Sequence, residues 1–382
     1  MEKKSRHQAL DYFLAGSLFF LLLLGIVMLA SVSASLSLER FGNTYYFMNR
    51  QLIFGIFPGV VVFLLFWRMR LDLLKKWTPL LLFLNILLMA MVFLPKVGLT
   101  LGGATRWLYF GGPMTFQPSE FLKLTFVLYL ASFMSARTEK SLGRDFVAHR
   151  SFAKKRVEFT QTFLAFLTVM GLISLLLIFQ PDISTLGIIV LSAVLIYFSS
   201  GTPLWHTISM VTAGALTLYA LIKIAPYRAN RWLVFMDPER EPLGIGYQLK
   251  QAFIAVGSGG IFGLGLGLSR QKFGFLPQSM TDSIFAVFSE ETGFFGAFIL
   301  IFLFLIFLWR SFTIAKRSQD QFSKLVALGI SSWICLQAFA NIGTMVGVLP
   351  LAGVPLPFIS YGGSHLVAEM AGAGILLNIS NS

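Results

Sequence analysis

The chain has 382 residues, of which 56% are hydrophobic and only 12% charged, with a mean hydropathy of +0.76. An apolar excess of this size excludes a soluble enzyme and marks a multi-spanning membrane protein. The net charge of +13 suits a topogenic or lipid-facing role better than nucleic acid, and the lone Cys335 excludes an intrachain disulfide or a thiolate metal cluster.

Segments long enough to cross roughly 30 Å of hydrocarbon at about 1.5 Å per residue fall near 12–32, 52–67, 78–95, 118–135, 162–180, 182–200, 204–222, 283–308, 325–349 and 357–378. Together they predict an all-α integral membrane protein, a ten-helix bundle in one polytopic domain, 1–382. The first segment follows Lys3, Lys4 and Arg6 and ends in "ASVSAS", which imitates a signal peptide and its cleavage site. Its apolar core exceeds a typical h-region and nine spans follow, so it reads as a retained helix, with cleavage as the alternative. Lys and Arg number three before the first span, four in 68–77, seven in 136–160 and four in 309–324. The short loops on the other side, 33–50 and 95–117, hold two each. That bias places both termini in the cytoplasm.

In chain order, the first outer feature is the loop 95–117, with Arg106 beside Trp107. The pair suits an interfacial anchor, and equally an amphiphile with a phosphate and a sugar, because guanidinium pairs bidentately with phosphate and an aromatic face stacks on a sugar. "FQPSE" at 116–120 and "FQPD" at 179–182 each set an acid at a helix start, where proline and a carboxylate suit the first turn. Lys123, three residues after Glu120, lies inside a span, so it needs a partner or a polar cavity.

The segment 223–282 is the one long outer loop, between the seventh and eighth predicted helices, and carries seven basic residues. Loops of this length in a compact domain are usually functional. Its glycine-rich part, "QAFIAVGSGGIFGLGLGLSRQKFGFLPQ", predicts a short re-entrant or interfacial helix ending in turns. It matches neither the dinucleotide fingerprint nor the P-loop.

Asp282 opens the eighth span and has two readings. It stands where an N-cap sits, and it also faces an outer surface rich in Arg106, Lys123, Arg231, Arg240, Arg270 and Lys272, as a general base beside an anionic leaving group would. Glu290 and Glu291 are too deep to cap, so at least one needs a partner or a watered cavity. Four histidines, His7, His149, His206 and His365, show no H-x-x-x-H spacing, which argues against a zinc hydrolase. A serine nucleophile lacks G-x-S-x-G, with Ser364 beside His365 as the remaining candidate.

"GGATRW", "FQPSEFLKL", "FQPDISTLG", "GYQLKQAFIAVGSGGIFGLGLGLSRQKFGFLP", "TDSIFAVFSEETGFFGA" and "NIGTMVGVLPLAGVPLPFISYGGSHLVAEMAGAGILL" follow in order over nearly the whole chain. In these motifs the sequence resembles the SEDS family (shape, elongation, division and sporulation) represented by FtsW and RodA. "YYFMNRQL" and "SRQKFGFLP" look closer to FtsW. The resemblance implies ten transmembrane helices in the bacterial cytoplasmic membrane and an extracytoplasmic peptidoglycan glycosyltransferase site. It also implies lipid II as substrate and a class B penicillin-binding protein transpeptidase as partner, within a division or elongation complex. The family's catalytic aspartate falls on Asp282. Its other conserved polar positions fall on Arg106, Trp107, Gln117, Glu120, Lys123, Asp182, Gln248, Lys272, Ser360, Gly362 and Gly363. Where the family has P-E-x-H-T-D-F this chain reads "PQSMTDS", with Gln278, Met280 and Ser283 in place of an acid, a histidine and an aromatic.

The expected reaction is a single inverting displacement with Asp282 as base. Arg106, Lys123 and Lys272 are the candidates for the pyrophosphate, and a divalent cation, Mg or Mn, is the candidate cofactor. The alternative is a flippase or transporter of lipid-linked precursor, with Asp282, Glu290 and Lys123 as a relay.

Overall fold

A computed structural model of the protein describes residues 11–101, 103–109, 111, 115–145, 152–224 and 226–381. His7, His149 and several of the basic residues counted in 136–160 lie outside the described side chains.

Among the described residues, seven helices are long and apolar enough to cross a membrane. They are α1 (Tyr12–Phe41), the α2–α3 unit, α4 (Leu71–Met91), residues Thr160–Phe179 of α6 (Phe152–Phe179), α8 (Leu204–Ile224), α11 (Ile284–Arg317) and α12 (Gln321–Met345). In the second of these, α2 (Tyr46–Gln51) runs through a π turn, Leu52–Ile56, into α3 (Phe57–Arg68). The remaining predicted spans fall on α5 (Pro118–Asp145), the shorter apolar α7 (Ile183–Ser199) and α13 (Gly363–Asn381). The protein is therefore a mostly helical, multi-pass membrane protein.

Helix α12 sits at the centre, packed against α5, α7, α11 and α13. Its buried Leu325, Val326, Ile330, Trp333 and Ile334 cover most of its circumference, as expected of a helix surrounded by others. Helix α1 runs along α11, and the contact is fastened at one end by Arg310, whose guanidinium holds Asp11 at 2.6 Å. Asp11 also accepts from Leu14 N–H as the N-cap of α1.

Two features depart from the helices-and-loops expectation. The loop 95–117 folds as a three-stranded antiparallel sheet, β1 (Gly98–Leu101), β2 (Ala104–Tyr109) and β3 (Thr115–Phe116). Gly98 pairs with Leu108 and Leu99 with Trp107. The strands are short and alternate one buried residue, Leu108, with partly exposed neighbours, so hydropathy alone reads them as a polar connection.

The second is the break in α11 at Gly293, whose φ of 67° and ψ of −166° no L-residue adopts comfortably. The glycine-rich segment fills this break. Leu264 and Gly265 N–H donate to the carbonyls of Glu290 and Glu291, and Phe294 and Phe295 N–H donate to those of Gly260 and Ile261. Backbone groups that the interrupted helix leaves unpaired are satisfied this way. A Cβ on Gly263 would lie 2.2 Å from the Glu291 carbonyl oxygen, so only glycine permits the approach. Before this segment the loop forms α9 (Pro226–Met236), a 3₁₀ turn at Pro238–Arg240 and α10 (Ile245–Ser258). The expected helix thus ends where the dense glycines begin, and those glycines form turns.

Candidate functional site

The sheet, the turn before α11 and the strap 346–362 between α12 and α13 meet around a cavity of about 520 Å³. Its wall includes nine predicted residues: Arg106, Trp107, Gln117, Glu120, Lys123, Asp182, Asp282, Gly362 and Gly363.

Strand β2 delivers Arg106 to the end of α6. Its Nε donates to the Gln180 carbonyl at 3.1 Å and its Nη2 to that of Pro181. A cation is favoured there because the last carbonyls of a helix are unpaired and carry the negative end of its dipole. Asp182 caps α7 by accepting from Thr185 N–H, and its other oxygen accepts from the Ser119 hydroxyl at 3.0 Å.

The turn carrying Asp282 is pinned residue by residue. Tyr361 N–H donates to the Met280 carbonyl at 2.8 Å, and the Ser360 hydroxyl to the Thr281 carbonyl at 2.7 Å. Asn341 Nδ2 donates to the Asp282 carbonyl at 2.7 Å, and Gln248 Nε2 to the Ser283 hydroxyl at 3.0 Å. Three of these contacts hold main-chain carbonyls and the fourth holds the Ser283 side chain, yet the Asp282 carboxylate accepts no hydrogen bond from any described residue. The cap at the start of α11 is Ser283, without a side-chain bond, so the N-cap reading of Asp282 is overturned. The reason is geometric: the carboxylate points into the cavity rather than back over the first turn.

Burial pushes the Asp282 pKa up to about 6. Arg106 and Arg231 pull against that shift, while Glu120 and Asp182 add to it. Arg231, from α9, donates to the Leu351 carbonyl of the strap at 3.3 Å, and burial lowers its pKa. The Asp282 carboxylate is therefore poised near the middle of the physiological range.

Lys123 is only 2% exposed and is fully engaged. Its ammonium meets Glu120 at 2.8 Å and Gln337 Oε1 at 2.6 Å, and lies over the Trp333 ring at 5.5 Å. Gln337 passes the connection to Glu369, at 3.2 Å, and to the Pro355 carbonyl at 3.0 Å. Glu369 accepts in turn from Phe358 N–H at 2.8 Å. A buried polar chain therefore runs from α5 through α12 to α13, with Lys123 and Glu120 paired at its start and Glu369 held by hydrogen bonds at its end.

The structure separates Lys272 from the rest. Its ammonium pairs with Glu291 at 2.9 Å and donates to the Gly267 carbonyl at 2.6 Å and to the Ser31 hydroxyl at 3.1 Å. It lies away from the cavity wall, and its charge is already neutralised, which corrects its expected place beside a pyrophosphate. Glu290 accepts from Arg270 N–H at 3.1 Å, Gln271 N–H at 3.4 Å and the Ser269 hydroxyl. Both glutamates therefore anchor the glycine-rich segment to α11.

Gln248 and Ser360 act behind the wall, on the Asp282 turn. The three departures in "PQSMTDS" have visible environments. Gln278 accepts from the Thr281 hydroxyl at 2.9 Å, Met280 packs on the core, and Ser283 receives Gln248. Ser364 accepts from Gln117 N–H at 3.1 Å and no Ser364–His365 bond forms among the described residues, so the serine-nucleophile alternative has no geometric basis. No group of three His, Cys, Asp or Glu side chains gathers for a metal among the described residues.

Sequence reasoning missed Asn341, Gln337, Glu369, Arg50 and Gln51. The first three are polar residues inside predicted spans, a signal present in the sequence itself. Arg50 and Gln51 precede a span and look like ordinary flanking residues.

The model of the cell cycle protein family of FtsW, RodA and SpoVE matches residues 12–382. Stage V sporulation protein E of Bacillus subtilis (strain 168) is 37% identical over 364 residues, covering 94% of each chain. A probable peptidoglycan glycosyltransferase FtsW of Nitrosococcus halophilus is 35% identical over 372 residues, covering 97% of this chain and 92% of that one. Among solved structures, a chain of a peptidoglycan synthase complex coordinating polymerization and crosslinking superposes with a TM-score of 0.73 at 27% identity, covering 97% of this chain and 98% of that one. Thermus thermophilus RodA superposes with a TM-score of 0.64 at 25% identity, covering 97% of both chains.

Proposed function

Since the chain belongs to the FtsW, RodA and SpoVE cell cycle protein family, we propose that it is a peptidoglycan glycosyltransferase polymerising lipid II at the outer face of the cytoplasmic membrane. The observation that carries this reading is the Asp282 carboxylate. It sits on a main chain pinned at three successive carbonyls, is free of hydrogen bonds from described residues, and faces a cavity shared with Arg106.

In the proposed step, the 4-hydroxyl oxygen of the acceptor's N-acetylglucosamine attacks C1 of the donor's N-acetylmuramic acid. The C1–oxygen bond to undecaprenyl pyrophosphate breaks, the configuration at C1 inverts, and the hydroxyl proton passes to Asp282. A base near pKa 6 is deprotonated at neutral pH and still accepts a proton as the hydroxyl becomes acidic in the transition state. Arg106 faces the charge gathering on the leaving diphosphate, and Trp107 offers a stacking face for a sugar. Gln117 and Asp182 offer further polar contacts to the sugars. Lys123, compensated by Glu120, holds the cavity floor in shape.

The reading includes ten transmembrane helices with both termini in the cytoplasm, and a class B penicillin-binding protein as partner. The partner assignment is supported by the likeness to a chain of a peptidoglycan synthase complex. Purified protein in detergent, supplied with lipid II, is expected to form glycan polymer. The flippase alternative predicts transport of labelled lipid across a vesicle and no polymer in detergent, where no second side exists.

A further inference from the structure

Glu369, on α13, is a fully buried carboxylate that the proposed reaction leaves unused. Both of its oxygens accept a hydrogen bond, one from Gln337 Nε2 at 3.2 Å and the other from Phe358 N–H at 2.8 Å. Gln337 cannot turn its amide round, because its Oε1 already accepts from the Lys123 ammonium at 2.6 Å and from Trp333 Nε1 at 3.1 Å. Position 369 therefore faces two donors, and a glutamate meets both where a glutamine would set its own amide nitrogen against one of them.

The second of those donors belongs to a strained residue. Phe358 is 3% exposed and has a φ of 64°, the left-handed region that a bulky L-residue occupies only where its surroundings impose it. Here they act on both sides of the residue. Glu369 holds the N–H, and the carbonyl backs onto α1 at Gly25, where a Cβ would stand 2.3 Å from the carbonyl oxygen.

The residues just beyond Phe358 carry the contacts on which the proposed base depends. Leu356–Ser360 is a turn, closed by Ser360 N–H on the Leu356 carbonyl at 3.0 Å and by Leu356 N–H on the Ser360 hydroxyl at 2.7 Å. The same hydroxyl donates to the Thr281 carbonyl at 2.7 Å, and Tyr361 N–H donates to the Met280 carbonyl at 2.8 Å. Two of the three main-chain carbonyls held in the Asp282 turn are thus held from positions two and three residues after Phe358. The third is held by Asn341, from α12.

Resting on the glycosyltransferase reading, we propose that Glu369 is a positioning residue for Asp282. By holding Phe358 N–H it keeps the strap in the left-handed turn that sets Ser360 and Tyr361 on the Asp282 turn, and so fixes where the base stands. The rival role, offsetting the charge of Lys123 through Gln337, makes a different demand: it needs the negative charge at 369 but not its reach to Phe358.

Glu369→Asp separates the two, because it keeps the charge and draws the carboxylate back by one methylene. Steady-state polymerisation of lipid II by this variant should show kcat lowered by about tenfold or more with KM within about twofold of wild type. A second variant, Phe358→Gly, supplies a residue that adopts a positive φ freely and no longer needs the grip on its N–H. In that background the further change Glu369→Asp should lower kcat by no more than about twofold. Wild-type kcat in Glu369→Asp, a loss carried by KM, or the same loss in both backgrounds overturns the proposal. If wild-type protein forms no polymer, the glycosyltransferase reading fails separately. In that case, or where Phe358→Gly does not fold, hydrogen exchange decides: Tyr361 N–H exchanging about tenfold faster in Glu369→Asp, with the amides of α5 unchanged, supports the link from Glu369 to the Asp282 turn, and unchanged exchange at Tyr361 overturns it.

Discussion

Asn341 Nδ2 lies 2.7 Å from the main-chain carbonyl of Asp282 and 2.7 Å from that of Val354, bridging the Asp282 turn to the strap. One amide thus sets where the Asp282 carboxylate stands relative to the wall opposite it. Asn341→Ala removes both donors, and misplacement of a base by a fraction of an ångström lowers kcat by about 10- to 100-fold. Steady-state kinetics on the folded variant should show KM changed far less than kcat. An equal effect on both would mean Asn341 does not position the base.

The raised pKa of Asp282 sets a pH dependence. As a general base it must be ionised, so kcat/KM should rise through an apparent pKa near 6 and level off above it. Stability runs the other way: the folded state holds this proton more tightly than the unfolded chain, so Asp282 destabilises the fold increasingly as pH rises from about 4 to about 6. Asp282→Asn should therefore raise Tm at pH 7.5 by a few degrees, corresponding to about 1 kcal/mol once solvent around the half-buried carboxylate is allowed for. Thermal unfolding in detergent should show this gap closing toward pH 4.

Lys272 is assigned to the fold, not to the substrate. Lys272→Met leaves Glu291 buried and unpaired and should cost about 3–5 kcal/mol, whereas adding Glu291→Leu should recover much of the loss. Product inhibition by undecaprenyl pyrophosphate, measured on the double variant, should match wild type. Loss of that inhibition would return Lys272 to the diphosphate site.

The break in α11 depends on glycine at two facing positions. Gly263→Ala sets a Cβ 2.2 Å from the Glu291 carbonyl oxygen at a φ of +80°, and both chains there are backbone. A loss of about 2 kcal/mol or more is expected. Hydrogen exchange should show the amides of Leu264, Gly265, Phe294 and Phe295 opening in this variant, since they bond across the break.

Most of the helical framework was legible from apolar runs, because a bilayer demands about 20 apolar residues per crossing and leaves few alternatives. Lys123 was legible as a charge inside a span, where charge is expensive, whereas Arg106 and Asp282 stood out by their places beside Trp107 in an outer loop and at the start of a helix. The sheet at 98–116 was not, since its strands are short and only Leu108 is buried within β2. Lys272 was misplaced because sequence gives its side of the membrane, whereas the fold of the glycine-rich segment turns it onto Glu291. Arg50 was hidden for a related reason: a guanidinium just before a span reads as a flank until the π turn and the Gln51–Gly362 bond show what it faces.

The central claim is that Asp282 is the base of a glycosyl transfer. It is tested most directly by incubating purified Asp282→Asn protein with lipid II in detergent and resolving glycan polymer by gel. Shape is conserved and the proton acceptor is removed, so the account predicts folded protein that binds lipid II with near wild-type affinity and forms no polymer. Polymer formed at a rate near that of wild type would contradict it.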